Sequence, residues 1–372
     1  MKTYLLRRLA LIPLTLLGIM AVNFMFIQLA PGGPVEQVIA KLQGGGSTLG
    51  RISGASVSAA ETGASAVAVN RSGSALNSKY RGAQGLDPAL IAELEKQFGF
   101  DKPLHVRFLE MIKNFLRFDF GKSFYRDESV IDLIIEKMPV SVSLGVWTTL
   151  LIYLISIPLG IKKAVKDGTP FDAVTSWAVI IGYAVPAFLF AMLLIVLFCG
   201  GRYFDWFPLR GLVSENWNEL GFWQKIGDYF WHLALPVASM VAGGFAGLTM
   251  LTKNSFMDEI KKQYVLTAKA KGLSENAVLY SHVFRNAMLI VAAGFPAVLV
   301  GMLFTGSVLI EVIFSLDGIG LLGFESVMTR DYPVIFGTLY IFALIGLVLN
   351  LICDLTYRLI DPRIDFGGRY AN

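Results

Sequence analysis

The chain has 372 residues, of which 55% are hydrophobic and 16% charged, and its formal net charge is +4. A soluble domain carries about 25% charged residues. Here charges are missing from long runs, which excludes an ordinary soluble globular fold and indicates a membrane protein. The two cysteines, Cys199 and Cys353, lie in separate apolar runs near opposite predicted membrane faces, so we expect no disulfide.

Several apolar stretches are long enough to cross a bilayer as helices, which takes about 20 mostly apolar residues each. We predict an all-α, polytopic fold with six transmembrane helices: Leu9–Leu29, Val140–Ile161, Val174–Gly200, Trp231–Leu251, Met288–Ile313 and Val334–Tyr357. The first has a longer apolar core than a signal peptide and no A-x-A cleavage pattern, so we expect it to be retained. Prolines inside the runs predict kinks: Pro158, Pro186, Pro236 and Pro296.

Lysine and arginine concentrate at one set of span ends. The short loops at the other set carry few of them: Arg202, Arg210, Lys225 and Arg330. Because cytoplasmic loops carry the excess, both termini and residues 253–287 are predicted to be cytoplasmic. Residues 1–30 then hold the cytoplasmic N-terminus and first span, residues 31–139 form a periplasmic loop, and residues 140–372 hold the other five spans and the cytoplasmic C-terminus.

The predicted periplasmic loop contains an insertion, residues 43–85, that is rich in glycine, serine and alanine and has no aromatic residue before Tyr80. Such a segment buries too little apolar area to offset its ordering entropy, so we interpret it as a flexible insertion. The apolar residues after it have helical spacing and predict short amphipathic helices: Leu90, Leu94 and Phe98, then Val106, Leu109, Ile112, Phe115 and Leu116.

Two short matches to nucleotide-binding motifs fail on context. Gly121–Ser123 resembles the end of a P-loop, but the glycine required five positions earlier is Leu116. Residues 318–323 match G-x-G-x-x-G, yet no βαβ unit surrounds them, so we predict a glycine-rich turn into a short helix. The histidines lack metal-ligand spacing: His105, His232 and His282. We expect no catalytic, cofactor or metal site in this chain.

The middles of the predicted spans contain no Asp, Glu, Lys, Arg or His. Glu311 and Asp354 lie near span ends, and Asp172 precedes the third span. Transporters driven by ion gradients usually place ionisable residues deep in the bundle. If this chain moves a solute, the energy is therefore expected to enter through another subunit.

One polar, basic segment interrupts the apolar pattern, "YVLTAKAKGLSENAVLYSHVFRNA" from Tyr264 to Ala287. Ala268 and Ala270 favour helix, and Gly272 is placed as a C-cap. Ser274 can cap a second helix through the backbone N–H of Ala277. The pattern predicts helix, glycine turn, helix on the cytoplasmic face. An ordinary basic loop and a docking site for another protein both fit these residues.

The same segment resembles the EAA loop of bacterial ABC-transporter permeases, in the form used by their dipeptide and oligopeptide branch. The glutamate of the wider EAA consensus falls on Leu266. Further resemblance covers the first span, the external helices and the sixth span, and within the branch it is strongest to the Yej-type oligopeptide and microcin C permeases (B-type subunit). The matching residues in the loop are Tyr264, Val265, Thr267, Ala268, Ala270, Lys271, Gly272, Leu273, His282, Arg285, Asn286 and Ala287.

This resemblance implies a type I ABC importer permease bundle in the bacterial inner membrane, with no catalysis of its own. Such a permease pairs with a second homologous permease, and cytoplasmic ATPases carrying ATP and Mg²⁺ dock on the two EAA loops. A periplasmic binding protein delivers peptide, and no nucleic acid is involved. The resemblance implies coupling to the ATPase by Tyr264, Thr267, Ala268, Ala270, Lys271, Gly272 and Leu273, with the loop oriented by His282, Arg285 and Asn286.

Other residues are weaker candidates for roles in the bundle. Gly243 and Gly247 form a G-x-x-x-G pattern, which predicts close helix packing within the chain or against a partner. The turn from Asp317 either meets the binding protein, gates the outside or is simply a capped loop, together with Arg330 and Asp331. Candidate pore residues are Tyr183, Pro186, Phe295 and Pro296.

Two other classes of protein compete with the ABC permease. A secondary transporter or channel acting alone would show ionisable residues at mid-membrane or detectable repeats, and the sequence shows neither. A membrane scaffold or sensor would not need spans punctuated by glycine and proline.

Overall fold

The computed structural model describes residues 2–29, 102–199, 203–304 and 308–360. These residues are almost entirely helical, and within them no strand extends beyond a single bridge between Lys122 and Ser129. The all-α prediction is confirmed. The predicted insertion at 43–85 and the predicted helix at Leu90–Phe98 lie outside the described residues.

The helices of the described ranges are numbered in chain order. A 3₁₀ turn covers Trp217–Glu219, and a π turn covers Leu279–Val283. The α-helices are α1 (Lys2–Leu29), α2 (Leu104–Leu116), α3 (Val130–Val165), α4 (Pro170–Ala184), α5 (Ala187–Phe198), α6 (Phe222–Ile260), α7 (Gln263–Ala270), α8 (Glu275–Val278), α9 (Phe284–Phe304), α10 (Val308–Ile313), α11 (Ile319–Thr329) and α12 (Tyr332–Ile360).

The described helices supply five apolar segments long enough to cross a membrane, or six if α4 and α5 count as one span. The third predicted span is broken, because α4 and α5 meet at 95°. Pro186 lacks an N–H and pushes the preceding Val185 out of the helical region, to φ −86° and ψ 116°. The kink predicted at Pro186 within Val174–Gly200 is therefore confirmed, and it is a sharp break between two helices.

The described parts of the fifth predicted span, Met288–Ile313, lie in α9 and α10. Helix α10 packs against α5 and α11. Its Glu311 side chain is fully buried against the start of α11, where Glu311 Oε2 accepts a hydrogen bond from the Leu321 N–H.

Helices α3 and α6 form the most extensive helix pair within the part of the chain described. At their crossing a Cβ on Gly160 would lie 2.6 Å from the Thr252 Cβ and 2.8 Å from the Thr249 carbonyl oxygen. Glycine is thus required for the close approach of the two backbones. Buried apolar side chains pack around this pair in two clusters, one along the first half of α6 and one at its C-terminal end.

Residues 17–119 form a compact unit of their own. In its described part the Phe24 and Phe108 rings pack with centroids 5.2 Å apart, and the Arg107 guanidinium lies over the Phe24 ring at 5.9 Å. The helix predicted from Val106 onward is confirmed as α2. Within α2, Phe115 is buried, whereas Leu109 and Leu116 are exposed.

Candidate functional site

The polar segment between α6 and α9, residues 261–287, folds as predicted into helix, glycine turn, helix. Helix α7 ends in a turn in which the Gly272 N–H donates to the Lys269 carbonyl oxygen at 2.9 Å. Gly272 has φ +86°, and nothing lies within 4 Å of where its Cβ would be. The backbone conformation, and not a shortage of space, therefore requires glycine at this position.

The second helix begins as the sequence indicates. Ser274 is the N-cap of α8, and its Oγ accepts a hydrogen bond from the Ala277 N–H at 3.4 Å. The π turn at Leu279–Val283, which the sequence analysis did not predict, joins α8 to α9. It carries His282 on the exposed side while Val283 is buried.

A buried cluster fixes this segment to the membrane helices. Val265 and Ala268 of α7 face inward and pack with residues from the ends of α3 and α6. The Ser255 Oγ of α6 donates to the Ala287 carbonyl oxygen of α9 at 2.7 Å. We call the buried set the coupling cluster: Ile161, Ala164, Phe256, Val265, Ala268, Val278, Val283 and Ala287.

Polar contacts add a second attachment at Tyr264. Its hydroxyl donates to the Glu259 carboxylate at 2.7 Å and accepts from the Asn286 side-chain amide at 3.4 Å. Partial burial, with the neighbouring Glu259 carboxylate, raises the pKa of Tyr264 above its usual value. Tyr264 and Asn286, both named as site residues from the sequence, are thus brought together across α7 and α9.

The outer face of the segment is exposed. It includes apolar side chains that the sequence analysis did not single out, Leu266 at 64% and Tyr280 at 60% exposure. Ala268 is buried in the coupling cluster, so it contacts this chain's own helices. The other predicted site residues on the exposed face are Thr267, Ala270, Lys271, Gly272, Leu273, His282, Arg285 and Asn286.

The predicted packing glycines of α6 differ from each other. A Cβ on Gly243 would lie 3.5 Å from the Ala187 Cβ at the start of α5, whereas Gly247 has nothing within 4 Å. Of these two glycines, only Gly243 is packed against another helix of this chain in the described residues.

The predicted pore residues fall at two places. Tyr183 and Pro186 are exposed at the break between α4 and α5. The Phe295 ring of α9 lies edge-on to the Tyr153 ring, with centroids 5.0 Å apart. Pro296 lies inside α9, and its side chain is outside the described ones.

The glycine motif at 318–323 forms the predicted turn into a short helix, α11. The glycines of this turn leave space for the Glu311 side chain. Glu311 Oε2 accepts a hydrogen bond from the Leu321 N–H at 2.7 Å, and a Cβ on Gly318 would lie 2.5 Å from the Glu311 Cδ. Ser141 completes the site by donating to Glu311 and accepting from the Ile319 N–H. The Glu311 carboxyl group therefore lies at the N-terminus of α11, where backbone N–H groups are available to donate to it.

The acidic residues of the same outer turn have structural contacts. Asp317 forms an ion pair with Lys137 of α3. Asp331 is buried, and its carboxylate accepts from the Ser123 hydroxyl and from the Phe124 N–H. Arg330 is exposed, with φ +60°. These contacts hold α11 against the segment before α3.

A bundle of apolar helices that carries a solvent-facing helix-turn-helix is the architecture of a polytopic membrane protein. Residues 156–366 match the family model described as the binding-protein-dependent transport system inner membrane component. This chain belongs to that family. The interpretations as a secondary transporter acting alone and as a membrane scaffold are therefore set aside.

Individual relatives agree with this assignment. The chain is 63% identical over 370 residues to the peptidoglycan transport system permease protein YejB of Agrobacterium fabrum, covering 99% of this chain and 100% of the relative. It is 58% identical over 372 residues to the inner membrane ABC transporter permease protein YejB of Escherichia coli O157:H7, with the same coverage. Identity to the oligopeptide transport system permease protein AppB of Bacillus subtilis is 34% over 286 residues, or 76% and 88% of the two chains. The resemblance to Yej-type peptide permeases is confirmed.

Proposed function

We propose that this chain forms half of the translocation pore of an ATP-driven peptide importer in a bacterial inner membrane. The observation that carries the proposal is the segment 261–287, whose inner face is packed into the coupling cluster while its outer face is exposed. A segment built in this way can receive a force from a partner and pass it to the membrane helices.

The partner at the exposed face is an ATPase subunit. Leu266, Leu273 and Tyr280 present apolar surface beside Lys269 and Lys271, which suits a protein interface with a polar rim. In the described residues no group of side chains is arranged to hold a metal ion. The family assignment supports placing ATP and Mg²⁺ on the ATPase partner, which would carry out the hydrolysis.

The other partners follow from the family. A second homologous permease completes the pore, and a periplasmic binding protein delivers the cargo. The open space at Gly247 on α6 leaves room for a helix of the second permease. Relatives named for oligopeptide and peptidoglycan transport support peptides as cargo, including peptides of cell-wall origin. Microcin C-like peptides remain part of the proposal on the resemblance alone.

The termini are assigned to the cytoplasm. Arg8 near the start of α1 forms an ion pair with Asp354 near the end of α12 at 3.0 Å, which supports termini on the same side of the membrane. The basic segment 261–287 supports the cytoplasm as the side on which the termini lie, because loops rich in lysine and arginine are retained in the cytoplasm.

Affinity purification from the native membrane tests the proposal directly. A tag on this chain is expected to recover a second permease and P-loop ATPases, identified by mass spectrometry, and peptides are expected to stimulate ATP hydrolysis by the recovered complex. Recovery of a stable homo-oligomer that transports peptide in liposomes without ATP would contradict it.

A matched pair of variants locates the ATPase contact. Leu266→Asp alters a side chain that is 64% exposed and is expected to abolish ATPase recovery, because a charge enters an apolar interface. Leu109→Asp makes the same change at a side chain 62% exposed on α2, and recovery is expected to stay normal. Equal recovery with both variants would place the ATPase elsewhere.

A further inference from the structure

Charged side chains from three helices meet next to the coupling cluster. Lys163 of α3 is fully buried, and its Nζ lies 2.9 Å from Asp172 Oδ1 at the start of α4. Lys253 of α6 lies 2.7 Å from the other oxygen of the same carboxylate and 2.8 Å from Asp167 Oδ1. We call Lys163, Asp167, Asp172 and Lys253 the ion cluster.

The lysines of the ion cluster make specific contacts and do not only add positive charge to the predicted cytoplasmic face. Lys162 and Lys166 are exposed beside it, whereas Lys163 turns inward and donates to the Asp172 carbonyl oxygen at 3.0 Å. It also donates to the Thr175 and Ser176 hydroxyl oxygens, at 2.9 Å and 2.7 Å. A buried ammonium is tolerated only when it is paired and fully hydrogen-bonded, so this geometry fixes α4 against α3 and α6.

The same helix turns carry both clusters. On α3, Ile161 and Ala164 pack into the coupling cluster while Lys163 between them reaches α4. On α6, Phe256 belongs to the coupling cluster, and Lys253, one turn earlier, reaches Asp172. The ends of α3 and α6 therefore connect the segment 261–287 to α4 through side chains that are packed or ion-paired throughout.

Helix α4 is the half of the third span that this connection reaches. Beyond it the chain bends by 95° at Val185–Pro186, where the helical hydrogen bonding is interrupted. A break of this kind is where one half of a span can turn relative to the other.

We propose that Lys163, Asp172 and Lys253 are positioning residues that make α4 move together with the coupling segment. Motion imposed by the ATPase then reaches the break at Val185–Pro186 and changes the pore there. This inference rests on the proposed function, and it adds a route through the third span that depends on the ion cluster and not on the contact with the ATPase.

The test uses the assembled transporter in proteoliposomes, with an equimolar mixture of synthetic tri- to hexapeptides as probe. Lys253→Met removes one ammonium and leaves Asp172 paired with Lys163. We expect assembly and ATP hydrolysis to persist while the peptide imported per ATP hydrolysed, measured by mass spectrometry, falls by about tenfold. Lys253→Arg keeps the charge and is expected to restore that ratio, which a merely structural loss would not predict.

The control is Lys113→Met, the same change at an exposed lysine of α2, where the ratio is expected to stay normal. If Lys253→Met does not assemble, K253M/D167N gives the same test with charge balance preserved, since it removes the lysine together with its more exposed partner. A normal ratio in an assembled K253M or K253M/D167N complex would overturn the inference and leave the proposed function standing. A wild-type complex that imports no peptide from the mixture would overturn both.

Discussion

At the scale of single residues, Gly272 shows how one backbone angle shapes the candidate site. Its φ of +86° lies in the region that L side chains enter at a cost of about 1 to 2 kcal/mol. The turn between α7 and α8 depends on that angle, and the direction of α7 depends on the turn. The sequence alone identified this glycine correctly, because a glycine between two helix-forming stretches is a common C-cap.

Gly272→Val is expected to strain the turn and tilt α7, so that the chain still inserts but peptide import is lost while ATP hydrolysis continues. Import and hydrolysis are measured on the reconstituted complex. Gly121→Val is the matched control, since Gly121 has φ +79° and equally open space but lies in the turn before α3. Normal import by Gly272→Val would show that the turn does not transmit the motion.

Gly318 illustrates the opposite case, in which glycine is required by its surroundings. The Glu311 carboxylate occupies the space that a Cβ would take, which a search for nucleotide motifs could not reveal. The glycines of this G-x-G-x-x-G match leave space for the Glu311 side chain of the same chain, and not for the phosphate of a nucleotide.

Gly318→Ala is expected to reduce stability by about 1 to 3 kcal/mol, because the added methyl overlaps the buried carboxylate. Thermal unfolding in detergent measures the effect. Gly323→Ala, in open space within α11, is the control and is expected to be neutral or slightly stabilising. In a Glu311→Ala background the Gly318→Ala penalty should shrink, and an undiminished penalty would contradict the assigned contact.

At the scale of helices, the crossing of α3 and α6 determines how the bundle is built. Gly160 brings the two backbones together, and both helices then carry the coupling cluster and the ion cluster at their ends. No local pattern in the sequence marked Gly160, because its partners Thr249 and Thr252 are distant in the chain.

Gly160→Ala is expected to destabilise the bundle by about 1 to 3 kcal/mol, since the new methyl would meet the Thr249 backbone, which cannot rotate away. The thermal midpoint of the purified chain in detergent reports the loss. Gly294→Ala makes the same change inside α9, with nothing within 4 Å, and should leave the midpoint nearly unchanged. Equal midpoints for the two variants would argue against the close crossing.

The sequence was sufficient to predict that the apolar helices are present. It was not sufficient to predict where the helices begin and end or how sharply they bend. Hydropathy found the apolar parts of α3 and α6 but not their polar ends, so α3 begins at Val130 and not at Val140. Pro186 indicated a kink, yet the local sequence did not indicate that the two halves would meet at 95°. The ion cluster escaped prediction because Lys253 and Asp172 are 81 residues apart and both lysines resembled ordinary positive-inside charges.

At the scale of the whole molecule, the orientation in the membrane determines which partner meets which surface. The Arg8–Asp354 ion pair brings the early turns of α1 close to the last turns of α12. In the proposed topology these helix ends and the basic segment 261–287 are cytoplasmic, and α11 faces the periplasm. The proposal therefore has the ATPase and the binding protein approach opposite ends of the bundle.

Single cysteines in a cysteine-free background, with Cys199 and Cys353 replaced, test this orientation. Asn276→Cys on α8 and Val327→Cys on α11 both alter exposed positions. A membrane-impermeant maleimide should label Val327→Cys in right-side-out vesicles and Asn276→Cys in inside-out vesicles, because the proposed topology puts α11 in the periplasm and α8 in the cytoplasm. Labelling of both positions from the same side would overturn the topology, and with it the assignment of the segment 261–287 to a cytoplasmic ATPase.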